Sequence, residues 1–402
     1  MNIRALLVFI FLLSVMGRHA QATTYSMPKN INDNVITQYP DGVALTRADQ
    51  DETLLDVARR FLLGQTEIVR LNPDVDRWLV KKGEIVRLSN HRILPDSPHN
   101  GITLNIAEYR MYYYPPTKKG ETPLQVMSFA HGVGRQDWKT PLGKTKVERK
   151  IMNPEWHPPE SIRREHAANG DPLPLIVPAG PHNPLGTRAL YLDLPGEYRI
   201  HGTDIDKING IGMQITHGCV RMYPKDVEEL YDLVDVGTPV YIVKQPIKVG
   251  WLDNVLYVES HPDLEGEETT LDQRFAIALG LIKKANNNQE VFDFDQQALN
   301  KALKEQGGEP IAIYERLPPL EEALVTPETV PVPVIPVPAK PSRQLPGKSS
   351  TVAKTSSKAK SLAPAKNSVA AKTLVPAKST APAKTSVNPG RKGSPDGYYH
   401  GN

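Results

Sequence analysis

The 402-residue chain contains a single cysteine, Cys219. No intrachain disulfide can form, so a stable fold must depend on core packing or on a partner. Cys219 lies in the run Thr216-His217-Gly218-Cys219-Val220-Arg221, and His201-Gly202-Thr203 begins 18 residues before the cysteine. A free cysteine is most often a small buried apolar residue. Two histidines and an arginine nearby instead favour a reactive thiol.

The first residues are typical of a secretory signal peptide. Arg4 supplies a short basic region, and the apolar run from Ala5 to Met16 is too short to span a bilayer. Ala20-Gln21-Ala22 matches a signal-peptidase site. We therefore predict a signal peptide over residues 1–22, cleaved after Ala22, and a periplasmic mature protein. An unpaired thiol in that oxidising compartment is expected to have a use.

The C-terminal part, residues 317–402, is rich in Pro, Ala, Lys and Ser, with Pro-Ala-Lys at 338–340, 364–366, 376–378 and 382–384. This composition predicts a disordered tail. Twelve Lys or Arg and no acids lie between Lys340 and Lys392. Loss of Arg4 and Arg18 lowers the net charge from +3 to +1, so the rest of the mature chain carries about −11. A basic tail fits binding to anionic wall polymers or lipid headgroups, and equally a solvated spacer.

Residues 39–89 predict a small unit with the order β-α-α-β. Thr53-Leu54-Leu55-Asp56 fits a capping box at a helix start. A second short helix is predicted over Gln65 to Leu71, and strands over Val43–Thr46 and Ile85–Leu88 flank the two helices.

Residues 101–244 predict a mostly β domain, because short apolar and β-branched runs alternate with Gly and Pro. The predicted strands are Ile102–Ile106, Arg110–Tyr114, Leu124–Ala130, Ala189–Leu194, Tyr198–Ile200 and Val240–Val243. A helix follows the cysteine and begins at Pro224. In residues 245–316 we predict a hairpin within Trp251–Val258 and helices over Leu271–Lys284 and Asp295–Glu305. The expected fold class is α+β.

A cysteine at its ordinary pKa is mostly protonated at neutral pH, so a nucleophilic thiol needs a base or a positive charge beside it. His201, at the end of a predicted strand, is the candidate base. Its tautomer would be fixed by Asp204 or by a backbone carbonyl. Amides around Gly218 and Cys219 are candidate oxyanion donors, and Arg221 suits a carboxylate.

These two runs together resemble the signature H-G-T…S-H-G-C-x-R of the YkuD-type L,D-transpeptidases. Gly210-Ile211-Gly212-Met213 matches a further family run, and the resemblance extends from Gly101 to Val243. Thr216 stands where the family usually has Ser. This resemblance implies that Cys219 is the nucleophile, that His201 accepts and donates the proton, and that the carbonyl of Gly202 orients the imidazole. The residues it implies around the substrate and oxyanion are Thr216, His217, Gly218 and Arg221. His131 matches no catalytic position and is predicted to be structural.

Residues 39–89 resemble a LysM module, which binds the glycan of peptidoglycan, although Asp51-Glu52 replaces the usual Gly-Asp. A LysM-like unit before the catalytic domain is similar to the Gram-negative periplasmic branch of the family.

The resemblance implies acyl transfer on peptidoglycan tetrapeptide stems. The thiolate attacks the third stem residue, usually meso-diaminopimelate, and expels D-alanine, leaving a thioester. A second diaminopimelate then gives a 3–3 cross-link, the lysine of an outer-membrane lipoprotein gives attachment, and water gives trimming. The expected partner is peptidoglycan, through stem and glycan. No nucleic acid, metal or organic cofactor is expected.

The residues alone leave other classes open. One is a peptidoglycan-binding scaffold whose cysteine site is inactive. Another is a wall endopeptidase or carboxypeptidase, which the order His before Cys fits poorly. A zinc site of Cys219, His201 and His217 is a third, and it lacks an evident fourth ligand.

Overall fold

The computed structural model describes residues 23–38, 44–118, 120–289 and 293–316. The predicted signal peptide (1–22) and the predicted tail (317–402) lie outside these described residues, as does Val43 of the first strand predicted in the 39–89 unit.

The secondary structure falls into three consecutive groups. The N-terminal group is β1 (Thr23–Ser26), β2 (Val35–Thr37), β3 (Ala44–Arg47), α1 (Leu54–Arg60), α2 (Gln65–Leu71), β4 (Ile85–Leu88) and β5 (His91–Ile93). The central group is β6 (Gly101–Asn105), β7 (Arg110–Tyr114), β8 (Gln125–Gly134), β9 (Gly143–Met152), α3 (Glu160–Ala168), β10 (Arg188–Leu192), β11 (Arg199–His201), β12 (Gln214–Thr216), β13 (Val220–Met222), α4 (Pro224–Leu233) and β14 (Pro239–Val243). The C-terminal group is β15 (Ile247–Leu252), β16 (Val255–Ser260), α5 (Leu271–Ala285), α6 (Gln296–Glu305) and β17 (Ile311–Glu315).

The central group forms a closed sheet. Its strands pair in the order β8-β13-β11-β10-β9-β14-β6-β7, and β7 also pairs with β8, which closes the ring. β1 and β12 add to β8 from outside the ring. The interior is filled by apolar side chains from alternate strand positions, such as Ile102, Phe129 and Val220, and α4 packs Val227 and Leu230 against them. The prediction of a mostly β domain is confirmed.

The N-terminal unit has the predicted order β3-α1-α2-β4, with β3 and β4 antiparallel. Thr53 caps α1: its Oγ1 accepts a hydrogen bond from the amide of Asp56 at 3.1 Å, and the Asp56 carboxylate accepts one from the amide of Thr53 at 3.0 Å. Leu54, Val57 and Ile68 bury the inner faces of the two helices.

The C-terminal group packs α5 and α6 on the antiparallel sheet β15-β16-β17. The predicted hairpin is present and longer than expected. Its turn is Asp253-Asn254, both with positive φ (48° and 69°), as a two-residue type I′ turn requires. Both predicted helices are confirmed, and Asp295 caps the second.

Several elements differ from the sequence prediction. α3 was not predicted, nor were the strands β1, β2, β5, β9, β12, β13 and β17. β8 continues to Gly134, four residues beyond the predicted end at Ala130, because its far end pairs with β12 and β13. No helix in the described part of the chain is both long and apolar enough to cross a membrane.

Candidate active site

The site is built on the neighbouring strands β11 and β13, which run parallel with Ile200 opposite Val220 and His201 opposite Arg221. Alternate residues of a strand share a face. Ile200 and Val220 therefore point into the barrel core, while Arg199, His201 and Arg221 share the opposite face. One more step in register brings Cys219 beside Arg199. Standard strand spacings then place the Cα atoms of His201 and Cys219 roughly 8 Å apart.

His201 is buried and its ring is held by its own backbone. Nδ1 lies 2.7 Å from the carbonyl oxygen of Gly202. Because a carbonyl only accepts, Nδ1 carries the proton in the neutral ring and Nε2 keeps a lone pair. Burial, with the charges of Arg221 and Arg199, lowers the pKa of His201 to about 3, against the opposing effect of hydrogen bonds to backbone carbonyls. The imidazole is therefore neutral at neutral pH.

The structure places the Gly202 carbonyl, not Asp204, on the imidazole. The Asp204 carboxylate instead accepts a hydrogen bond from the amide of Lys207 at 2.9 Å and caps the 3-10 helix Ile205–Gly210.

Cys219 follows a tight turn that only glycine fits. Gly218 has φ +97°, and a Cβ there would lie 2.8 Å from Cε1 of Tyr198. Thr140 Oγ1 donates to the Gly218 carbonyl at 2.9 Å. Thr216 Oγ1 donates to the Cys219 carbonyl at 2.6 Å, so this hydroxyl holds the turn from the inside. Cys219, a half-buried residue, is thereby fixed immediately before β13.

The thiol of Cys219 is neutral at rest. Burial raises its pKa above the ordinary value of 9.0, although the charge and hydrogen bonds of Arg199 and the charge of Arg221 act to lower it. The Cys219 thiol and the His201 imidazole are therefore both neutral at rest, and the positive charges of Arg199 and Arg221 favour the thiolate over the thiol.

His217 faces the unpredicted helix α3. Its Nε2 lies 3.3 Å from Oε2 of Glu165, whose other carboxylate oxygen bonds the Arg135 guanidinium. The ring of Trp138 meets His217 edge-on at 5.3 Å between centroids. Burial and the charge of Arg135 lower the pKa of His217, and Glu165 opposes them. His217 therefore lines the site as a neutral, oriented ring.

Arg221 is half-buried beside the loop that precedes β12: a Cβ on Gly210 would lie 3.3 Å from its Nη1. His131 lies fully buried on β8, opposite Met222. Among the described residues, the metal-ligand types brought within 4.8 Å of one another are Glu108, Glu259 and His261, not the cysteine and histidines of the site. The ammonium of Lys248 already lies 2.7 and 2.8 Å from those two glutamates.

Sequence reasoning missed Arg199, Tyr198 and Glu165. Arg199 had a usable signal, because it lies two residues before His201 on a predicted strand and so shares its face. No sequence pattern indicated Glu165, since it lies on α3 and contacts His217, which is 52 residues away in sequence.

Comparison with known proteins identifies the family of this chain. The model of the L,D-transpeptidase catalytic domain matches residues 99–242. The chain is 34% identical over 321 residues to the probable L,D-transpeptidase YbiS of Escherichia coli strain K12, covering 78% of this chain and 100% of YbiS. The chain belongs to the L,D-transpeptidase family. This transpeptidase is also 32% identical over 314 residues to the probable L,D-transpeptidase ErfK/SrfK of Salmonella typhimurium, covering 78% of this chain and 98% of that protein.

A third relative is the probable L,D-transpeptidase YcfS of Escherichia coli strain K12, 33% identical over 261 residues, with 64% of this chain and 79% of that protein covered. The resemblance to the YkuD-type family, and to its Gram-negative members, is confirmed. The scaffold and endopeptidase alternatives are not favoured by these relatives.

Proposed function

We propose that this L,D-transpeptidase acts in the periplasm on peptidoglycan tetrapeptide stems, through a thioester on Cys219. The observation that carries the proposal is the pairing of β11 with β13, which sets His201, Arg199, Cys219 and Arg221 on one face. A neutral imidazole as base, a thiol as nucleophile and two guanidinium groups on the same face of the sheet are the parts that acyl transfer needs.

In the first step, Nε2 of His201 takes the thiol proton as Sγ attacks the carbonyl carbon of the third stem residue. The C–S bond forms and the carbonyl oxygen becomes an oxyanion, for which the amides around Gly218 and Cys219 are the proposed hydrogen-bond donors. Collapse breaks the C–N bond to D-alanine. The proton on His201 passes to the leaving amine, and a thioester remains.

In the second step, an acceptor amine attacks the thioester carbonyl. His201 removes a proton from that amine and returns it to Sγ as the C–S bond breaks. A diaminopimelate amine gives a 3–3 cross-link, and a lipoprotein lysine gives attachment. Arg221 suits the carboxylate of the stem, because a guanidinium binds a carboxylate bidentately.

The N-terminal unit is proposed to bind glycan as a LysM module. Trp78, in the segment after α2, has 63% of its surface exposed, and the Arg77 guanidinium lies 5.3 Å from its ring centroid. An exposed aromatic side chain in this position offers a stacking surface for a sugar. A Trp78→Ala protein is expected to pellet less with isolated peptidoglycan while retaining activity on soluble stems.

Mass spectrometry of tetrapeptide muropeptides incubated with the protein tests the function. The expected product is a cross-linked dimer that has lost one D-alanine, absent with Cys219→Ala. Cleaved stems without dimers would indicate an endopeptidase. Full rescue of wall phenotypes by Cys219→Ala would indicate a scaffold.

A further inference from the structure

We propose that the start of α2, Gly64–Thr66, positions the active-site loop Gly210–Met213, so that the N-terminal unit is part of the machinery that holds Cys219 in place. We call Gly64–Thr66 the docking segment. The inference rests on the proposed function only in taking this loop as part of the active site.

The docking segment contacts the loop through backbone and side chain. The amide of Gln65 donates to the carbonyl of Ile211 at 2.8 Å. Oγ1 of Thr66 donates to the carbonyl of Gly212 at 2.7 Å. Two loop carbonyls thus receive hydrogen bonds from residues some 146 positions away in sequence.

The two backbones approach so closely that side chains are excluded on both sides. A Cβ on Gly212 would lie 2.5 Å from Cα of Gly64, and a Cβ on Gly64 would lie 3.0 Å from Cα of Gly212. Gly212 also has φ +85°, which glycine adopts at little cost. Gly212 is therefore required both by the shape of the loop and by its fit to the start of α2. Gly210 is crowded by other residues, because a Cβ there would lie 2.1 Å from Cδ1 of Ile215.

The opposite side of the loop is fixed to β8. The amide of Gly212 donates to the carbonyl of His131 at 3.1 Å, and the amide of Val133 donates to the carbonyl of Met213 at 3.0 Å. The loop is therefore clamped between the barrel wall and the docking segment, with hydrogen bonds on both sides.

In sequence, the loop Gly210–Met213 lies between His201 and Cys219. The loop follows the 3-10 helix after His201 and continues directly into β12, whose last residue, Thr216, holds the carbonyl of Cys219. Gly210 also lies against the Arg221 guanidinium. A displaced loop would thus move the cysteine turn and the arginine together.

The docking is reinforced by buried charges and apolar contacts. Glu67, next to the docking segment, pairs with Arg92 and with Arg110 on β7, whose side chain is 1% exposed. Tyr223, which follows β13, donates from its hydroxyl to the carbonyl of Leu63 at 2.9 Å. Around these pairs lies a small apolar cluster of Leu62, Ala130, Ile208, Ile211 and Tyr223. The N-terminal unit is therefore fastened at several points around the loop.

The test compares Thr66→Val, which keeps the side-chain shape and removes the hydroxyl, with Thr66→Ser, which retains it. Thr53→Ala is the matched control: it removes the α1 cap in the same unit, and Thr53 does not touch the loop. Three quantities are measured for the full chain well below its unfolding temperature. The two that report positioning are the rate of Cys219 alkylation by iodoacetamide and kcat with a tetrapeptide muropeptide; the third is KM.

Thr66→Val is expected to lower kcat about tenfold, with little change in KM, because small misplacements of reacting groups are costly. The alkylation rate should change with it, and Thr66→Ser should restore both. The proposal is overturned if Thr66→Val behaves as wild type, or if Thr53→Ala lowers both quantities equally. Alkylation needs no transpeptidation, so it tests this positioning role even if the wild-type protein forms no cross-links.

Discussion

The imidazole of His201 donates from Nδ1 to the carbonyl of Gly202, 2.7 Å away along its own backbone. The contact fixes the tautomer without a carboxylate, and so without a negative charge that would favour imidazolium. Burial and the charges of Arg221 and Arg199 lower the pKa of His201 and outweigh this hydrogen bond, which acts to raise it. The site is thus arranged to keep its base neutral and available across the physiological range.

The first prediction concerns the pH dependence of Cys219 alkylation. Since burial raises the pKa of this thiol, the iodoacetamide rate should climb about tenfold per pH unit between pH 6 and 8 without levelling off. In the urea-unfolded chain, whose thiol has an ordinary pKa, the midpoint of the rise in alkylation rate should lie at a lower pH than in the folded protein. A plateau below pH 7 would contradict the neutral pair, because it would reveal a preformed thiolate–imidazolium.

The lowered pKa of His201 also predicts how the rate of D-alanine release depends on pH below neutrality. His201 loses its proton-accepting role only as pH falls toward its lowered pKa of about 3. The rate of D-alanine release should therefore show no decline centred near the ordinary histidine value of 6.5. Stopped assays between pH 5 and 7.5 measure this directly.

The second prediction concerns Glu165, which bonds both His217 and Arg135. Glu165→Gln should lower kcat/KM several-fold by freeing the His217 ring. The change in stability should be small, within about 1 kcal/mol, because the pair is partly exposed. Glu160→Gln on the same helix removes only an exposed pair with Arg164 and serves as control. Equal kinetics for the two variants would exclude a role for Glu165.

The third prediction concerns Gly218. Gly218→Ala should abolish measurable cross-linking for two reasons. The added methyl group would lie 2.8 Å from Cε1 of Tyr198, and a residue with a side chain is strained at φ +97°. Gly83→Ala is the matched control: its φ is +87°, and nothing lies within 4 Å of the added Cβ. Thermal unfolding should show a backbone strain cost of about 1–2 kcal/mol for Gly83→Ala and a larger cost for Gly218→Ala, which adds the clash with Tyr198; only Gly218→Ala should lose activity. Retained activity in Gly218→Ala would refute this reading of the turn.

The fourth prediction concerns Glu67. Burial acts to raise its pKa, but Arg110 and Arg92 outweigh burial and hold the pKa well below its usual range. A carboxyl whose folded-state pKa is lowered stabilises the fold above its unfolded pKa, here near 4.5, and loses that contribution as pH falls further. Glu67→Gln should cost about 3–5 kcal/mol at pH 7, since it leaves buried arginines unpaired.

Urea unfolding at pH 7 and pH 4 measures this contribution. Wild type should lose stability on acidification, and Glu67→Gln should lose less. Glu84→Gln removes a half-buried carboxylate of the same unit that takes no part in the ion pairs of Glu67 with Arg92 and Arg110, and it serves as control. An unchanged pH dependence in Glu67→Gln would show that the ion pairs do not supply it.

The sequence predicted what depends on local patterns. The Thr53 capping box, the hairpin around Asp253 and both C-terminal helices needed only residue spacing and turn chemistry. β13 was not predicted, because three residues beside a glycine turn are too few for a periodic pattern. The strand forms by pairing with β8 and β11. Local residue spacing and turn chemistry therefore predict whether a segment is a helix or a strand. They do not predict which strands pair with each other.

The residues of the site likewise fall into those that a sequence motif predicts and those that it does not. Cys219, His201 and Gly202 followed from a motif, whereas Glu165 and the docking segment reach the site only through the folded chain. A buried cluster such as Glu67 with two arginines runs against every compositional expectation for charged residues, and only its three-dimensional pairing accounts for it.

Intact-protein mass spectrometry during turnover of a tetrapeptide muropeptide detects the thioester on Cys219 itself. We expect a covalent adduct with the mass of the donor minus D-alanine, located on the peptide that contains Cys219 and absent from Cys219→Ala. Continued D-alanine release by Cys219→Ala, with no adduct on the wild-type protein, would contradict it.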